Sequence, residues 1–515
     1  MLGTSISWAQ NPAVQVRMVV SSSIFVSGDL VKLKLLTLDE EGKPISDGAL
    51  INLYLVTHNG QTAEIKRFDS SQNDSGSAFL LPSELSTGNY KLVGHIPGSK
   101  FQTEAIIHVY SPTIFSSTAL PANANPDLGL PSPTPMKEIS DLELEVQQAI
   151  LTVNSKSSES GFLTMKIFDS FLETAPVLGT VKNSEIDVNN SGKFELTPLS
   201  NDPNSRISVF FLEQGIVEEF NMRDSLEMES KLIRHRGSSS IWAYQFDNLG
   251  QNIGEVFVEV EEWDSNQFSS FENIVPFNDR VVNILDHKRK RKYIDQIYGT
   301  DIDNFESIWE ETEIVKADQV YFSKDYESIA TLREAFSGIV SKASVKRSKD
   351  GYQLVLSPAN AGFRFENGPL ILFNGSPIFE LGELIETPFH LIESISVFNS
   401  IQSLKRFGIL GRFGVVSIEM KEEFDNPLIA KKEAYPYYHG VNELVQVKEE
   451  FDPTDPDLRP VLLWGSSQFI QPDQTLTFDW KASDVLANYV MWIDFIRNDG
   501  ASIQWSQPVP TQFAQ

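Results

Sequence analysis

Between Val14 and Tyr110 the chain breaks into short alternating runs, and this spacing constrains the fold more than any other feature. The runs "VQVRMVV", "LVKLKLLTL", "LINLYLV", "AEIKRF", "SAFLLP", "YKLVGHI" and "EAIIHVY" alternate apolar with polar residues, and turn residues ("SGD", "DEEGKP", "HNG", "NDSG", "STGN") separate them. Successive strand side chains point to opposite faces, so each run buries one face and wets the other. Seven strands at that spacing imply an immunoglobulin-like sandwich.

A chain of 515 residues is too long for a single core, which implies about three or four domains. Hydrophobic residues make up 41% and charged residues 22%, enough apolar side chains to exclude global disorder. The formal net charge of −28 argues against nucleic-acid binding, which needs clustered Lys and Arg to neutralise phosphates. Cysteine is absent, which removes disulfides, thiolate zinc sites, cysteine nucleophiles and thioesters. A cysteine-free chain suits a reducing cytosol or a bacterial envelope.

The segments divide as follows. Residues 1–10, "MLGTSISWAQ", read either as the remnant of a signal peptide cleaved before Gln10 or as an ordinary frayed terminus. The first sandwich occupies 12–111, and a Pro-rich linker, semi-stiff and extended, runs over 112–140. Residues 141–263 return to strands and predict a second β-sandwich. A connector with a basic helix covers 264–318; its run Lys288–Lys292 is either a solvated helix start or a docking patch for lipid headgroups or an acidic partner. Helical spacing in "DYESIATLREAFSGIV", followed by "LILFNGSPI", "IESISVF" and "GVVSIEM", predicts a small α/β domain with a mixed sheet over 319–425. A C-terminal β segment fills 426–515. No stretch reaches the ~18 apolar residues of a membrane-spanning helix. The fold class is thus multidomain and mainly β, with sandwiches plus a small α/β domain.

Three stretches carry family resemblances. Gly28-Asp29, the hairpin Asp39 through Pro44 and Leu81-Pro82 through Leu92 resemble the macroglobulin domain family, as does the tail with Asp457, Arg459-Pro460, Trp464, Phe478, Ser483-Asp484, Tyr489 and Gly500. The 319–425 stretch resembles the plug domain of TonB-dependent outer-membrane receptors. Its motif positions are Asn374, Gly375 and Pro377 in "FNGSPI", Ile392, Glu393 and Val397 in "IESISV", and Gly408, Gly411, Gly414 and Lys421 in the glycine segment. Asn374 stands where the plug family usually has Asp, and no energy-coupling box precedes it. Asn-Gly is a tight hairpin signal, because both positions accept positive φ. Only 94 residues follow Lys421, against the hundreds that a receptor barrel takes, so the plug-like segment is expected to lack a barrel of its own. The combination resembles envelope proteins of Bacteroidota, with the plug-like segment as a candidate insertion between halves that pack together.

Motifs for chemistry are missing. There is no G-x-S-x-G, H-E-x-x-H, G-x-x-x-x-G-K-[ST] or G-x-G-x-x-G, and the seven histidines are scattered singly. Asp452, Asp455 and Asp457 in "DPTDPDLRP", and the oxygen-rich "DSSQNDSG", read as turns rather than as calcium loops. The expectation is therefore a non-enzyme with no catalytic, cofactor-binding or metal residues. The resemblances imply a non-catalytic accessory or scaffold subunit of an outer-membrane β-barrel complex for assembly, secretion or transport, periplasmic or outer-membrane-associated. Its partners would be barrel proteins and associated subunits, with no nucleic acid and no transmembrane segment of its own. The alternative is a free periplasmic or cell-surface binding module for a peptide or glycan.

Overall fold

Strands Gln15–Val20, Leu30–Leu38 and Ser77–Leu80 form one sheet of the first sandwich, and Leu50–Thr57, Thr62–Asp69, Gly88–His95 and Phe101–Tyr110 form the other. The computed structural model describes residues 14–45, 49–70, 77–115, 122–130, 142–147, 150–155, 160–186, 194–212, 216–224, 235–248, 252–260, 268–298, 305–307, 316–348, 351–360, 362–378, 382–421, 436–438, 440–442, 445–447, 456–481, 483–484 and 488–509. The expected signal remnant, much of the proline-rich linker, Asp452, Asp455 and most of "DSSQNDSG" lie outside the described residues. The fold is mainly β and built from many sheets. It divides into two units, one of residues 1–191, 263–309 and 441–515 and one of 192–262 and 310–440.

In the first unit, the alternating residues read from sequence make the first core. Met18, Leu33, Leu35, Leu53, Leu92 and Ile107 meet between the two sheets with exposures of 1% or less. A short strand, Ile24–Val26, leaves the first sheet and pairs in parallel with the end of Phe101–Tyr110. At the "DEEGKP" hairpin, Asp39 Oδ1 accepts from the Glu41 and Lys43 amides at 2.9 and 2.8 Å, which is why an Asp starts this turn. The open edge of the sandwich is closed by residues 177–183. Val177–Leu178 pairs with the first sheet and Thr180–Asn183 with the second, crossing at Gly179 where a Cβ would strike Thr103.

A strap then covers the outer face of the second sheet. Phe268 packs edge-on to Tyr54 at 5.3 Å, and Asn89 Nδ2 donates to the carbonyls of Glu272 and Ile274 at 3.0 and 2.8 Å. The strap delivers helix Asp279–Tyr298, whose Val281, Ile284 and Leu285 bury against Ile24, Val26 and Tyr110.

The strands from 142 to 263 do not form the single sandwich that the sequence reading expected. Leu142–Gln147 and Ile150–Ser155 join Thr475–Asp479 in one sheet. Gly161–Asp169 lies between Val461–Ile470 and Tyr489–Arg497 in another, which Ser502–Pro508 extends. Leu151, Leu163, Met165, Phe478, Trp480, Met491 and Phe495 fill the core between them. The physical reason lies in the two groups of strands. Those from 142 to 169 present Leu151, Val153, Leu163, Met165 and Ile167 to a core that the C-terminal strands complete. Those from 206 to 246 are apolar on both faces (Phe210 beside Phe211, Ile241 beside Trp242) and need cover on both sides.

The two sandwiches meet through Val19, Phe168, Ala175 and Trp492, and through a fork between Arg17 and Asp494 at 2.6 and 3.1 Å. Beside it runs a buried charged seam. Lys166 Nζ donates to the Thr174 carbonyl at 2.8 Å and stands 3.6 Å from Glu173, which accepts from Ser22 Oγ at 2.6 Å. Lys288 of the helix reaches in to Asp29 Oδ2 at 2.9 Å. Burial pulls the Lys166 ammonium down to about 8. For Glu173 burial pushes upward, but Lys166 and Lys288 overcome it and hold the carboxyl low.

In the second unit a six-stranded antiparallel sheet runs in the order Phe194–Thr197, Asn252–Val260, Ser239–Phe246, Arg206–Phe211, Ile216–Asn221, with Tyr437–Tyr438 pairing onto Ser239–Ser240. One face packs Ile207, Val209, Phe211, Ile241 and Ala243 with Tyr438. The other face presents Phe210, Trp242, Tyr244 and Phe246 to residues of the 319–421 segment. That segment forms a mixed five-stranded sheet, ordered Gln319–Phe322, Ile392–Phe398, Val415–Met420, Leu370–Phe373, Ser376–Ile378, with helix Leu332–Gly338 on one face. No helix among the described residues is long and apolar enough to cross a membrane.

Candidate interaction site

The sequence-read positions in 319–421 converge on the middle and one end of the mixed sheet. Strand "LILF" is buried on both faces: Ile371 and Phe373 join Leu332 and Phe336 of the helix side, while Leu370 and Leu372 join Trp242 and Phe210 of the six-stranded sheet. Asn374 and Gly375 are the central residues of the following hairpin, with φ of 47° and 77°, and Phe373 pairs with Ser376 across it. Asn374 also has a second task, since its Oδ1 accepts from the Met420 amide at 2.8 Å and ties the turn to the neighbouring strand. Pro377 sits on the edge strand, where a missing amide donor costs no ladder bond.

Ile392, Ile395 and Val397 are fully buried although their spacing is three and then two. A bulge between Ile392 and Ser394 absorbs the extra residue and turns Glu393 out to solvent. Lys421 closes the last strand, its amide donating to the Leu391 carbonyl at 3.1 Å and its Nζ to the His390 carbonyl at 2.7 Å.

The glycine segment is a turn held by a carboxylate from elsewhere. Gly408 has φ 50° and ψ −136°, a region closed to residues with a Cβ. Glu219, on the outermost strand of the six-stranded sheet, lies where that Cβ would be, and its Oε1 accepts from the Ile409 amide. At Gly411 a Cβ would come within 2.7 Å of Phe407, and Gly414 (φ 91°) lies against Leu356. Phe407 and Leu410 between them sink into the aromatic core with Phe398 and Trp242. All ten positions are thus accounted for by turns, a bulge and packing. The Ile409 amide is taken by the chain's own Glu219.

Two features of this site had little signal in the sequence. Glu219 is far from the glycines in the chain, and nothing local marks it. The other is the free edge. Strand Gln319–Phe322 is the end of its sheet, and no strand among the described residues pairs with its outer side. Val320 and Phe322 are 46% and 41% exposed, and the strand contains no charge and no proline. The alternation in "QVYF" is the only hint of it. Asp318 anchors its start, accepting from the Asn399 and Ser400 amides at 2.6 and 2.8 Å and from Ser403 Oγ at 2.6 Å. Partial burial would raise its pKa, but these donors hold it below the ordinary carboxylate value. Among the described residues no group of three or more His, Asp or Glu is placed to hold a metal. Asp457 is engaged by Arg459 at 2.7 to 3.0 Å.

No protein-family model matches the chain, and no curated protein sequence matches it. Among solved structures it has weak similarity to bacterial alpha-2-macroglobulin. Escherichia coli alpha-2-macroglobulin activated by porcine elastase shares 8% identity over 96% of this chain and 43% of that one, with a TM-score of 0.23. The native conformation of the same protein gives 9%, 98%, 40% and 0.24, and Salmonella alpha-2-macroglobulin reacted with methylamine gives 8%, 97%, 39% and 0.23. The chain spans about two-fifths of the length of these proteins.

Proposed function

We propose that this chain is a non-catalytic accessory or scaffold subunit of an outer-membrane β-barrel complex in the bacterial cell envelope, and that its plug-like α/β module meets the partner barrel through the free edge of its sheet. The observation that carries this reading is the edge strand Gln319–Phe322, uncharged, unpaired on its outer side among the described residues and bearing exposed Val320 and Phe322. Edge strands are commonly blunted by shortness, charge, proline or a bulge. This one is four residues long with Lys324 Nζ 5.3 Å from the Phe322 ring centroid, but it carries no charge or proline of its own, and its open backbone suits addition of a short strand by a partner. The broad face of the same sheet lies under the chain's own six-stranded sheet. That arrangement supports contact by the edge, as a cap or scaffold, over insertion of the sheet face against a barrel wall. The positions carried over from the plug resemblance are occupied with holding the module together, which fits a structural rather than a catalytic role.

The test is purification of the tagged chain in mild detergent from cells that produce it, with partners identified by mass spectrometry. An outer-membrane barrel protein is expected to co-purify, and Val320→Lys with Phe322→Lys is expected to release it while the thermal unfolding of the chain is unchanged. The reading fails if no barrel co-purifies, or if the double variant retains it fully. A peptide or glycan that raises the unfolding temperature of a barrel-free chain would point to the binding-module alternative.

A further inference from the structure

A row of polar side chains crosses the outer face of the second sheet of the first sandwich. Arg67, Asn52, His95 and Gln102 are successive cross-strand partners, and none is more than 2% exposed. The ends of the row are satisfied. Arg67 Nε donates to Asn52 Oδ1 at 3.1 Å, while Gln102 accepts from the Glu185 amide and donates to Glu104, both at 2.8 Å. The middle is not. His95 Nε2 meets the Ser99 carbonyl at 3.0 Å, so it carries the ring proton, and Nδ1 has no hydrogen-bond partner among the described residues. Asn52 Nδ2, on the residue directly opposite, has none either. Cross-strand β-carbons lie about 5 Å apart, so the bare ring nitrogen faces a donor side chain and no acceptor. The charges around the ring are committed elsewhere. Glu104 accepts Lys91 at 3.2 Å and Lys182 at 2.6 Å, Lys100 pairs with Glu40, and Asp69 lies two strands away on the face of Arg67. Tyr54 is hydrogen-bonded to Asn52 and pushed up to about 12 by burial, so it stays neutral. Burial also holds the His95 imidazole below its ordinary value, although the Ser99 carbonyl pulls the other way.

The row lies beneath a thin cover. Ile186, Phe268 and Phe271 pack with Tyr54, Val56 and Val93, and Glu185 clasps Ser269, accepting from its amide and hydroxyl at 2.6 and 2.9 Å. The Phe271 amide donates to the His58 carbonyl at 2.9 Å, and Glu272 of the strap is exposed. We propose that His95 makes this cover acid-sensitive: a second proton, taken from solvent at Nδ1, creates a buried cation with no acceptor, and residues 184–186 and 268–271 lift from the sheet to hydrate it. The opened face presents Tyr54, Val56 and Val93. The closed form binds the proton less tightly than the open one, so closure is secure at neutral pH. It weakens as pH falls below about 6.5, by at most about tenfold per pH unit. His108, farther along the same sheet, is wired differently. Its Nδ1 meets Asn89 Oδ1 at 2.7 Å, and Asn89 Nδ2 donates to two strap carbonyls, so that nitrogen already holds a proton with an acceptor.

The test is amide hydrogen exchange of the intact chain at pH 7 and pH 5, corrected for the intrinsic pH dependence of exchange and read by mass spectrometry. Peptides covering 184–186 and 268–271 are expected to lose about tenfold in protection at pH 5. His95→Gln keeps a donor for the Ser99 carbonyl and cannot titrate, so these peptides should stay protected at both pH values. Asn52→Asp sets a carboxylate opposite Nδ1 and should likewise abolish the acid response while His95 remains. If His95→Gln does not fold, Asn52→Asp decides. The proposal is overturned if the parent chain is equally protected at both pH values, or if the folded variants lose protection as the parent does. It rests on no residue of the edge strand Gln319–Phe322, so its failure is distinct from failure of the barrel reading.

Discussion

At the scale of single residues, the positions that read as a motif are geometric necessities. Gly408 needs a backbone conformation that a Cβ forbids, and it also lies against the Glu219 carboxylate. Gly408→Ala is therefore expected to cost about 1–3 kcal/mol from the backbone alone, measured by urea unfolding. In a Glu219→Ala background the same substitution should cost less, because one of its two penalties has been removed. Equal stability of Gly408→Ala and the parent chain would refute this account. The glycines themselves were legible, since regular glycine spacing before an apolar strand signals a forced turn. What they turn against was not, because Glu219 comes from a different sheet. Asn374 was legible as a hairpin residue, whereas its bond to Met420 depends on a neighbour brought in by the topology.

Among elements, the helix Asp279–Tyr298 shows how far a charge run misleads. The run Lys288–Lys292 reads as a solvated helix start or a docking patch; Arg289, Lys290 and Lys292 are exposed, yet Lys288 continues the buried stripe of Val281, Ile284 and Leu285 and enters a seam with Asp29, Glu173 and Lys166. Helical periodicity allowed that placement, but only the buried carboxylates opposite make it tolerable, and those come from other elements. The seam yields a pH signature. Lys166 has a folded pKa of about 8, below the ordinary 10.5, so between these values the unfolded chain binds the proton more tightly than the folded one. Stability from this group therefore rises as pH climbs through that window, and the charged lysine is a cost to the fold below it. Lys166→Met should remove this rise. The difference in unfolding free energy between parent and variant, followed from pH 7 to 11, is expected to shift in favour of the parent as pH increases. A pH-independent difference would show that Lys166 is not desolvated as described.

On the scale of the molecule, the first sandwich was readable from local alternation because its strands are consecutive and each turn is short. The second was not, because Gly161–Asp169 pairs with Tyr489–Arg497, in the register Gly161 to Arg497, across the whole intervening chain. Alternation marks a strand and its buried face but carries no address for the partner strand. This arrangement predicts that the two units differ in their dependence on the C-terminus. Residues after 455 supply Val461–Ile470, Thr475–Asp479, Tyr489–Arg497 and Ser502–Pro508, half or more of the second sandwich, and none of the second unit. Truncation after residue 455 would leave Leu151, Leu163 and Met165 without the Trp480, Met491 and Phe495 that cover them. Loss of several such contacts, each worth about 1.5–3 kcal/mol, exceeds the stability of an ordinary domain. Calorimetry of the intact chain is therefore expected to resolve separate transitions for the two units. The truncated chain should lose the transition of the first unit and keep that of the second, in which Trp242 remains buried and reports by its fluorescence. Survival of both transitions after truncation would mean that the sandwich is completed by other strands than those paired here.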